Sequence, residues 1–134
     1  MEISKLLSAA MEALDNSYSP YSGYRVGAAI LCRNGAIYSG CNIENSSYPV
    51  SVCAEISALS AAISSGNRGL EKIAVISSGE DICMPCGQCR QALNEFNPDM
   101  SVICANSKGE YKEYLLSELL PHSFQNFASH QKPE

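Results

Sequence analysis

Val26-Gly27-Ala28-Ala29-Ile30-Leu31-Cys32-Arg33-Asn34-Gly35-Ala36-Ile37-Tyr38-Ser39-Gly40-Cys41 reads as two β-rich runs, residues 26–32 and 36–41, joined by Arg33-Asn34-Gly35. An Asn-Gly pair between apolar runs is the strongest short hairpin signal, so the stretch predicts two antiparallel strands. Towards the N-terminus, Leu6, Leu7, Ala10, Ala13 and Leu14 recur at helical spacing within residues 3–16, until Ser19-Pro20-Tyr21-Ser22-Gly23 breaks the pattern. Towards the C-terminus a polar, turn-rich segment, residues 42–49, leads into a largely buried helix over 53–65, which Gly66-Asn67-Arg68-Gly69 ends. Ile73-Ala74-Val75-Ile76-Ser77 is a continuous apolar run, the pattern of a strand covered on both faces. Residues 86–96 follow as a helix with Pro85 in front and Asn97-Pro98-Asp99 behind, and residues 101–105 form a further strand. Residues 110–115 predict a short fifth strand and 116–120 a helical turn, while the tail over 125–134 lacks apolar periodicity and is expected to fray. The order of elements implies an α/β fold, a three-layer αβα arrangement around a mixed sheet of about five strands, with residues 1–134 as a single domain.

The chain has 134 residues, 46% of them hydrophobic and 17% charged, enough for one buried core. Its net charge of -5 argues against a protein that holds nucleic acid by neutralising phosphates, and suits a small neutral or cationic ligand. Seven cysteines stand out. The chain opens Met1-Glu2-Ile3-Ser4-Lys5 without an apolar leader and contains no apolar run of membrane-spanning length. A reducing, cytoplasmic setting without export or membrane insertion is therefore the expectation, and thiols there more often bind metal or do chemistry than form disulfides.

Cys86-Gly87-Gln88-Cys89 places two thiols at a predicted helix start, where first-turn amides favour thiolates. By itself this Cys-x-x-Cys is open to two readings, a redox dithiol or half of a structural zinc clamp. Cys53 lies at another predicted helix start and is followed by Glu55 in Cys53-Ala54-Glu55. If Cys53, Cys86 and Cys89 share one zinc ion, three protein ligands leave the fourth position free for water, the arrangement of a catalytic site. Zinc lowers the pKa of such a water towards neutrality, and Glu55 is then placed to move protons, provided it is not itself a ligand. A ligand-x-Glu followed by Pro-Cys-x-x-Cys is the pattern of zinc deaminases, here with Cys as the first ligand. Cys32, Cys41, Cys83, Cys104, His122 and His130 fall in no ligand spacing; the strand cysteines among them read as buried packing residues.

The chain resembles the small homotetrameric cytidine deaminases with a three-cysteine zinc site. The resemblance rests on Ser19-Pro20-Tyr21-Ser22-Gly23-Tyr24-Arg25-Val26-Gly27-Ala28-Ala29, Gly40-Cys41-Asn42-Ile43-Glu44-Asn45, Cys53-Ala54-Glu55, Pro85-Cys86-Gly87-Gln88-Cys89-Arg90-Gln91 and Glu118-Leu119-Leu120-Pro121, in the family's order. It implies one zinc ion per chain on Cys53, Cys86 and Cys89, Glu55 as the proton-transferring residue, and hydrolysis of cytidine and 2′-deoxycytidine to the uridines with release of ammonia. It also implies Asn42 and Glu44 on the ribose, Tyr24 beside the pyrimidine ring, and the backbone near Ala54 and Pro85 along the base edge. Tyr48 and Phe124 match positions where a neighbouring subunit helps close the pocket, so a homotetramer acting on a free nucleoside is expected, with no nucleic acid or membrane as partner.

Three positions depart from the family's pattern: Tyr24 where Phe is usual, Met84 where Ser is frequent, and Ile56 where an Arg commonly offsets the charge of the zinc trithiolate. Arg25 and Arg90 are the candidates to replace that charge. The departures keep a second reading in view, deamination of a modified cytosine nucleoside or nucleoside antibiotic, and from another class a non-catalytic, zinc-stapled binding module.

Overall fold

The computed structural model describes residues 2–125. The chain runs through α1 (Glu2–Leu14), β1 (Val26–Cys32), β2 (Ile37–Cys41), a 3-10 turn (Tyr48–Val50), α2 (Ala54–Ser64), β3 (Leu70–Ser77), α3 (Gly87–Asn94), β4 (Ser101–Ala105), β5 (Tyr111–Leu115) and α4 (Leu116–Leu119). The five strands form one mixed sheet in the order β2-β1-β3-β4-β5. Strand β1 is antiparallel to both its neighbours, β3 and β4 are parallel, and β5 returns antiparallel.

Alternation along the central strands explains the layers. Ala28, Ile30, Ile73, Val75, Val102 and Cys104 face the side that carries Ala54, Ala58 and Ala62 of α2 and Leu93 of α3. Ala29, Leu31, Ala74, Ile76, Ile103 and Ala105 face Leu6 and Ala10 of α1. Residues two apart in a strand share a face, so the central strands are apolar over 26–32, 73–76 and 102–105, where both faces are covered. The expected αβα sandwich is therefore present.

Two glycines let the helices approach the sheet. A Cβ on Gly27 would lie 2.0 Å from the Ala10 carbonyl oxygen of α1, and one on Gly40 would lie 2.5 Å from the Ala58 nitrogen of α2. Both residues sit where helix backbone presses directly on strand backbone.

The local expectations hold with small changes at the ends. The hairpin turn is a three-residue loop: the Cys32 amide donates to the Ala36 carbonyl at 2.9 Å, and Gly35 carries the positive φ of 92°. Strand β3 begins three residues before the apolar run, because Leu70 and Lys72 pair with Cys32 and Leu31 across a register irregularity. Cys32 and Cys104 are buried as expected, whereas Cys41 on edge strand β2 is only half-buried. The 3-10 turn at Tyr48–Val50 falls where only a loop is read from the sequence. Most of the tail that is expected to fray, and His130 with it, lies outside the described residues.

Candidate active site

Helices α2 and α3 begin side by side at one end of the sheet. Cys53 is the N-cap of α2 and Cys86 the N-cap of α3, and neither side chain caps its own helix. Cys89 follows one turn into α3 and is fully buried. The three sulfur atoms lie within 4.8 Å of one another, with Cys53 Sγ to Cys86 Sγ at 3.9 Å and Cys86 Sγ to Cys89 Sγ at 3.5 Å. Zinc–sulfur bonds of about 2.3 Å at tetrahedral angles set sulfurs about 3.8 Å apart, so this donor set fits a zinc ion without rearrangement.

The electrostatics sort the cysteines. Hydrogen bonding from Cys89, and secondarily from Cys86, draws the Cys53 thiol down to about 6 in spite of its burial, while Cys89 is pushed far up by its bond with Cys53. The N-terminus of α2 also favours thiolate at Cys53. Burial pushes Cys83 and Cys104 up to about 11, so both remain neutral thiols at physiological pH and unsuited to a metal. His122 is exposed and stands in no group of clustered ligands among the described residues.

Glu55 lies in the first turn of α2, only 5% exposed. Burial raises its carboxyl to about 7, with the adjacent Cys53 adding to the effect. A carboxyl poised near neutral pH can both give and take a proton. Glu55, Cys53 and Cys86 line a cavity of about 300 Å³ together with Tyr24, Val26, Asn42, Glu44, Ala54, Cys83 and Met84. The pocket volume suits a ligand of nucleoside size.

The residues at the other end of this cavity are held by their own network. Ile43 bridges to both Tyr18 and Val52, and the alternation of an extended chain then sets Asn42 and Glu44 on the same side. Asn42 Nδ2 donates to the Tyr24 carbonyl at 2.9 Å, and its Oδ1 accepts from the Val26 amide at 3.0 Å and from the Ser17 hydroxyl. Glu44 Oε1 accepts from the amides of Tyr21 and Ser22, at 2.9 and 3.1 Å, and Oε2 accepts from the Ser22 hydroxyl. Those bonds, the Ser22 hydroxyl foremost, hold the Glu44 carboxyl below the usual carboxylate range. Asn42 is thus left with one N–H to offer a ligand, and Glu44 with one acceptor position. Ser17 and Ser22 are supports that sequence reasoning missed; Ser22 lies within Ser19-Pro20-Tyr21-Ser22, and Ser17, two residues before that stretch, carried no signal.

Other expected residues stand apart. Tyr48, 70% exposed, packs edge-on against Tyr21 at 6.0 Å and lines a separate, adjoining cleft that shares Glu44 and Ser51 with the main cavity. Phe124, 76% exposed, is tied through its backbone to the Gln91 side chain and does not line the cavity. The Pro85 carbonyl accepts from Arg90 Nε at 2.8 Å, and Arg90 Nη1 donates to the Leu119 carbonyl at 2.8 Å, so Arg90 braces the metal loop against α4. Arg25 Nη2 donates to the Asp15 carbonyl at 2.8 Å. Both guanidinium groups are thus engaged with backbone carbonyls, and half-buried Ile56 supplies no charge.

Residues 1–105 match the family described as "Cytidine and deoxycytidylate deaminase zinc-binding region". The chain belongs to this deaminase family. A cytidine deaminase of Sporosarcina psychrophila is 43% identical over 125 residues, covering 92% of each chain. The crystal structure of a cytidine deaminase from Burkholderia pseudomallei superposes with a TM-score of 0.87 at 37% identity, covering 90% of this chain and 98% of the other. That of the Mycobacterium tuberculosis enzyme gives 0.82 at 33% identity, covering 94% and 99%. The matched zinc-binding region contains Cys53, Cys86 and Cys89, a group of side chains that could hold a metal ion. Among the described residues no helix is long and apolar enough to cross a membrane.

Proposed function

We propose that this protein hydrolyses cytidine and 2′-deoxycytidine to uridine and 2′-deoxyuridine, releasing ammonia, with residues 1–134 acting as one catalytic domain. The observation that carries the reading is the joining, in one nucleoside-sized cavity, of a three-thiol cluster, a buried carboxyl poised near pH 7 and a polar end formed by Asn42 and Glu44.

Cys53, Cys86 and Cys89 would hold the zinc ion. Bound there, zinc supplies a Lewis acid and an activated water at neutral pH. Glu55 protonates N3 of the pyrimidine as water adds to C4, then passes a proton to the departing amine, so that water and cytidine become uridine and ammonia. Tyr24 offers its ring to the base, and the buried backbone at Ala54 faces the base edge. The remaining N–H of Asn42 donates to a sugar hydroxyl, and the remaining acceptor position of Glu44 receives one. The Pro85 carbonyl, already bonded to Arg90, orients the loop more than it contacts the base.

The finer reading extends to assembly and place. Tyr48 and Phe124, exposed in one protomer, are proposed to reach a neighbouring subunit's pocket in a homotetramer. Seven free cysteines are in keeping with a reducing, cytoplasmic setting. Neither the net charge of -5 nor the cavity lining supplies the clustered cations that a nucleotide phosphate or a nucleic acid would need.

The test is ultraviolet and ammonia assay of cytidine, deoxycytidine, deoxycytidine monophosphate and 5-substituted cytidines. The first two should be converted well and the phosphorylated form poorly. Preference for the phosphorylated or 5-substituted compounds would reject the assignment.

A further inference from the structure

Helix α3 supplies the Cys86 and Cys89 thiols from only eight residues, and its N-cap Cys86 makes no side-chain cap bond. A helix of that length is marginal by itself and depends on what packs around it. Its inner side is held by Cys89 and Leu93, both fully buried, but Cys86 and Met84 in front of it are exposed. The outer side is held by hydrogen bonds to the chain that follows β5. Arg90 Nε donates to the Pro85 carbonyl and Arg90 Nη1 to the Leu119 carbonyl, both at 2.8 Å. Gln91 stands about 200° around the helix from Cys89, so it is directed away from that thiol. Its Nε2 donates to the Phe124 carbonyl at 2.8 Å, and its Oε1 accepts from the Phe124 amide at 3.2 Å. One side chain thus makes with one residue the reciprocal pair of bonds that two antiparallel strands exchange. Residues 119–124 are therefore fastened to α3 at both ends. They are also anchored to the body of the protein, since Leu119 packs on the core cluster and Leu116 is fully buried.

We propose that Gln91 is a positioning residue for the metal cluster: by pairing with the backbone of Phe124 it makes residues 119–124 a strap that keeps α3, and with it Cys86 and Cys89, in register with Cys53. Arg90 is the strap's other clasp, tying the same segment to the carbonyl just before Cys86. A metal centre needs its ligands held to about 0.5 Å, and such supports beyond the ligands commonly decide how long the ion stays. Bonds on the outside of a short helix add little to global stability, but they oppose the local opening through which a bound ion escapes. Phe124 takes part through its backbone alone, its side chain being largely exposed, so the residue type at 124 is free to serve another purpose.

The inference rests on the reading of the three thiols as a zinc site. Its test is the rate of zinc release from the full-length, zinc-loaded protein into an excess of chromogenic chelator, well below the melting temperature. Gln91→Ala is expected to release zinc about three- to tenfold faster than the parent, the effect of about one ordinary hydrogen bond. Gln91→Met, which keeps the bulk of the side chain and loses both bonds, should match it. Phe124→Ala keeps both backbone bonds and should release zinc at the parent rate, whereas Phe124→Pro, which lacks the N–H, should release it faster. Adding Gln91→Ala to Phe124→Pro should then do little more. A parent rate in Gln91→Met, equal acceleration by Phe124→Ala, or a lower melting temperature with release unmoved would overturn the proposal. A parent protein that binds no zinc would instead overturn the metal reading, and hydrogen exchange of the α3 amides would still decide whether the strap holds the helix. Faster exchange in Gln91→Ala than in Phe124→Ala supports the strap, and equal exchange rejects it.

Discussion

Replacing Gly40 by Ala probes how the active site is held to the sheet. Gly40 lies in β2 opposite Ala28, under the first turns of α2, and an added Cβ would stand 2.5 Å from the Ala58 nitrogen and 2.6 Å from the Ser57 Cβ. Both obstacles belong to a helix whose inner face is fully buried at Ala54, Ala58 and Ala62, so no side chain can turn aside. Restoring a relaxed contact of 3.4 Å requires α2 to move away from β2 by 0.9 Å. Overpacking of this kind costs about 1–3 kcal/mol of stability. The same displacement shifts Cys53 and Glu55, one turn earlier on the helix, relative to Asn42 on the β2 side. A misplacement near 1 Å can cost about 100-fold in rate, so Gly40→Ala should lower kcat by about 10- to 100-fold while the protein remains folded. Gly27→Ala is the control, since its Cβ would strike the Ala10 carbonyl oxygen of α1 on the opposite face at 2.0 Å. It should destabilise at least as much, with a smaller loss of kcat in the fraction that folds. Urea denaturation and steady-state kinetics at a temperature well below both transitions give the two quantities. Full kcat in Gly40→Ala, or equal losses in the two variants, would refute the claim that contact between α2 and β2 sets the catalytic geometry.

Other outcomes follow from the same geometry. Asn42→Ala removes the acceptor for the Val26 amide and the donor to the Tyr24 carbonyl, and should cost about 1–3 kcal/mol in denaturation as well as raising KM. Arg90→Ala frees the carbonyls of Pro85 and Leu119; a loss of about 2 kcal/mol and faster release of zinc on dialysis are expected, measured by denaturation and metal analysis. Chelation should abolish activity and lower the melting temperature, because a ligand at about 1,000 times its Kd adds about 4 kcal/mol that is lost with it, and re-addition of zinc should restore both.

Much of the architecture was legible because the chain announces its periods. The Asn34-Gly35 pair marked the hairpin, and the unbroken apolar run at Ile73 to Ser77 marked a strand with both faces covered. The start of β3 was not legible, since Leu70, Glu71 and Lys72 become a strand only through pairing with β1, which is a tertiary fact. The three-thiol cluster was legible in part, from the Cys-x-x-Cys spacing and from the Glu near Cys53, though the convergence of the thiols depends on how α2 and α3 meet. Asn42 and Glu44 were legible as polar candidates, but not the degree to which Ser17, Ser22 and the backbone already occupy them. That Arg90, a candidate to balance the thiolate charge, also braces two backbone carbonyls was not legible.

The central claim is that the three thiols hold zinc while Glu55 moves the protons. Zinc analysis of the parent protein and of Glu55→Gln, combined with ultraviolet monitoring of cytidine, tests both halves at once. About one zinc per chain in both proteins, with turnover abolished only in Glu55→Gln, is the predicted result. Comparable turnover in the variant, or an active parent protein free of zinc, would contradict it.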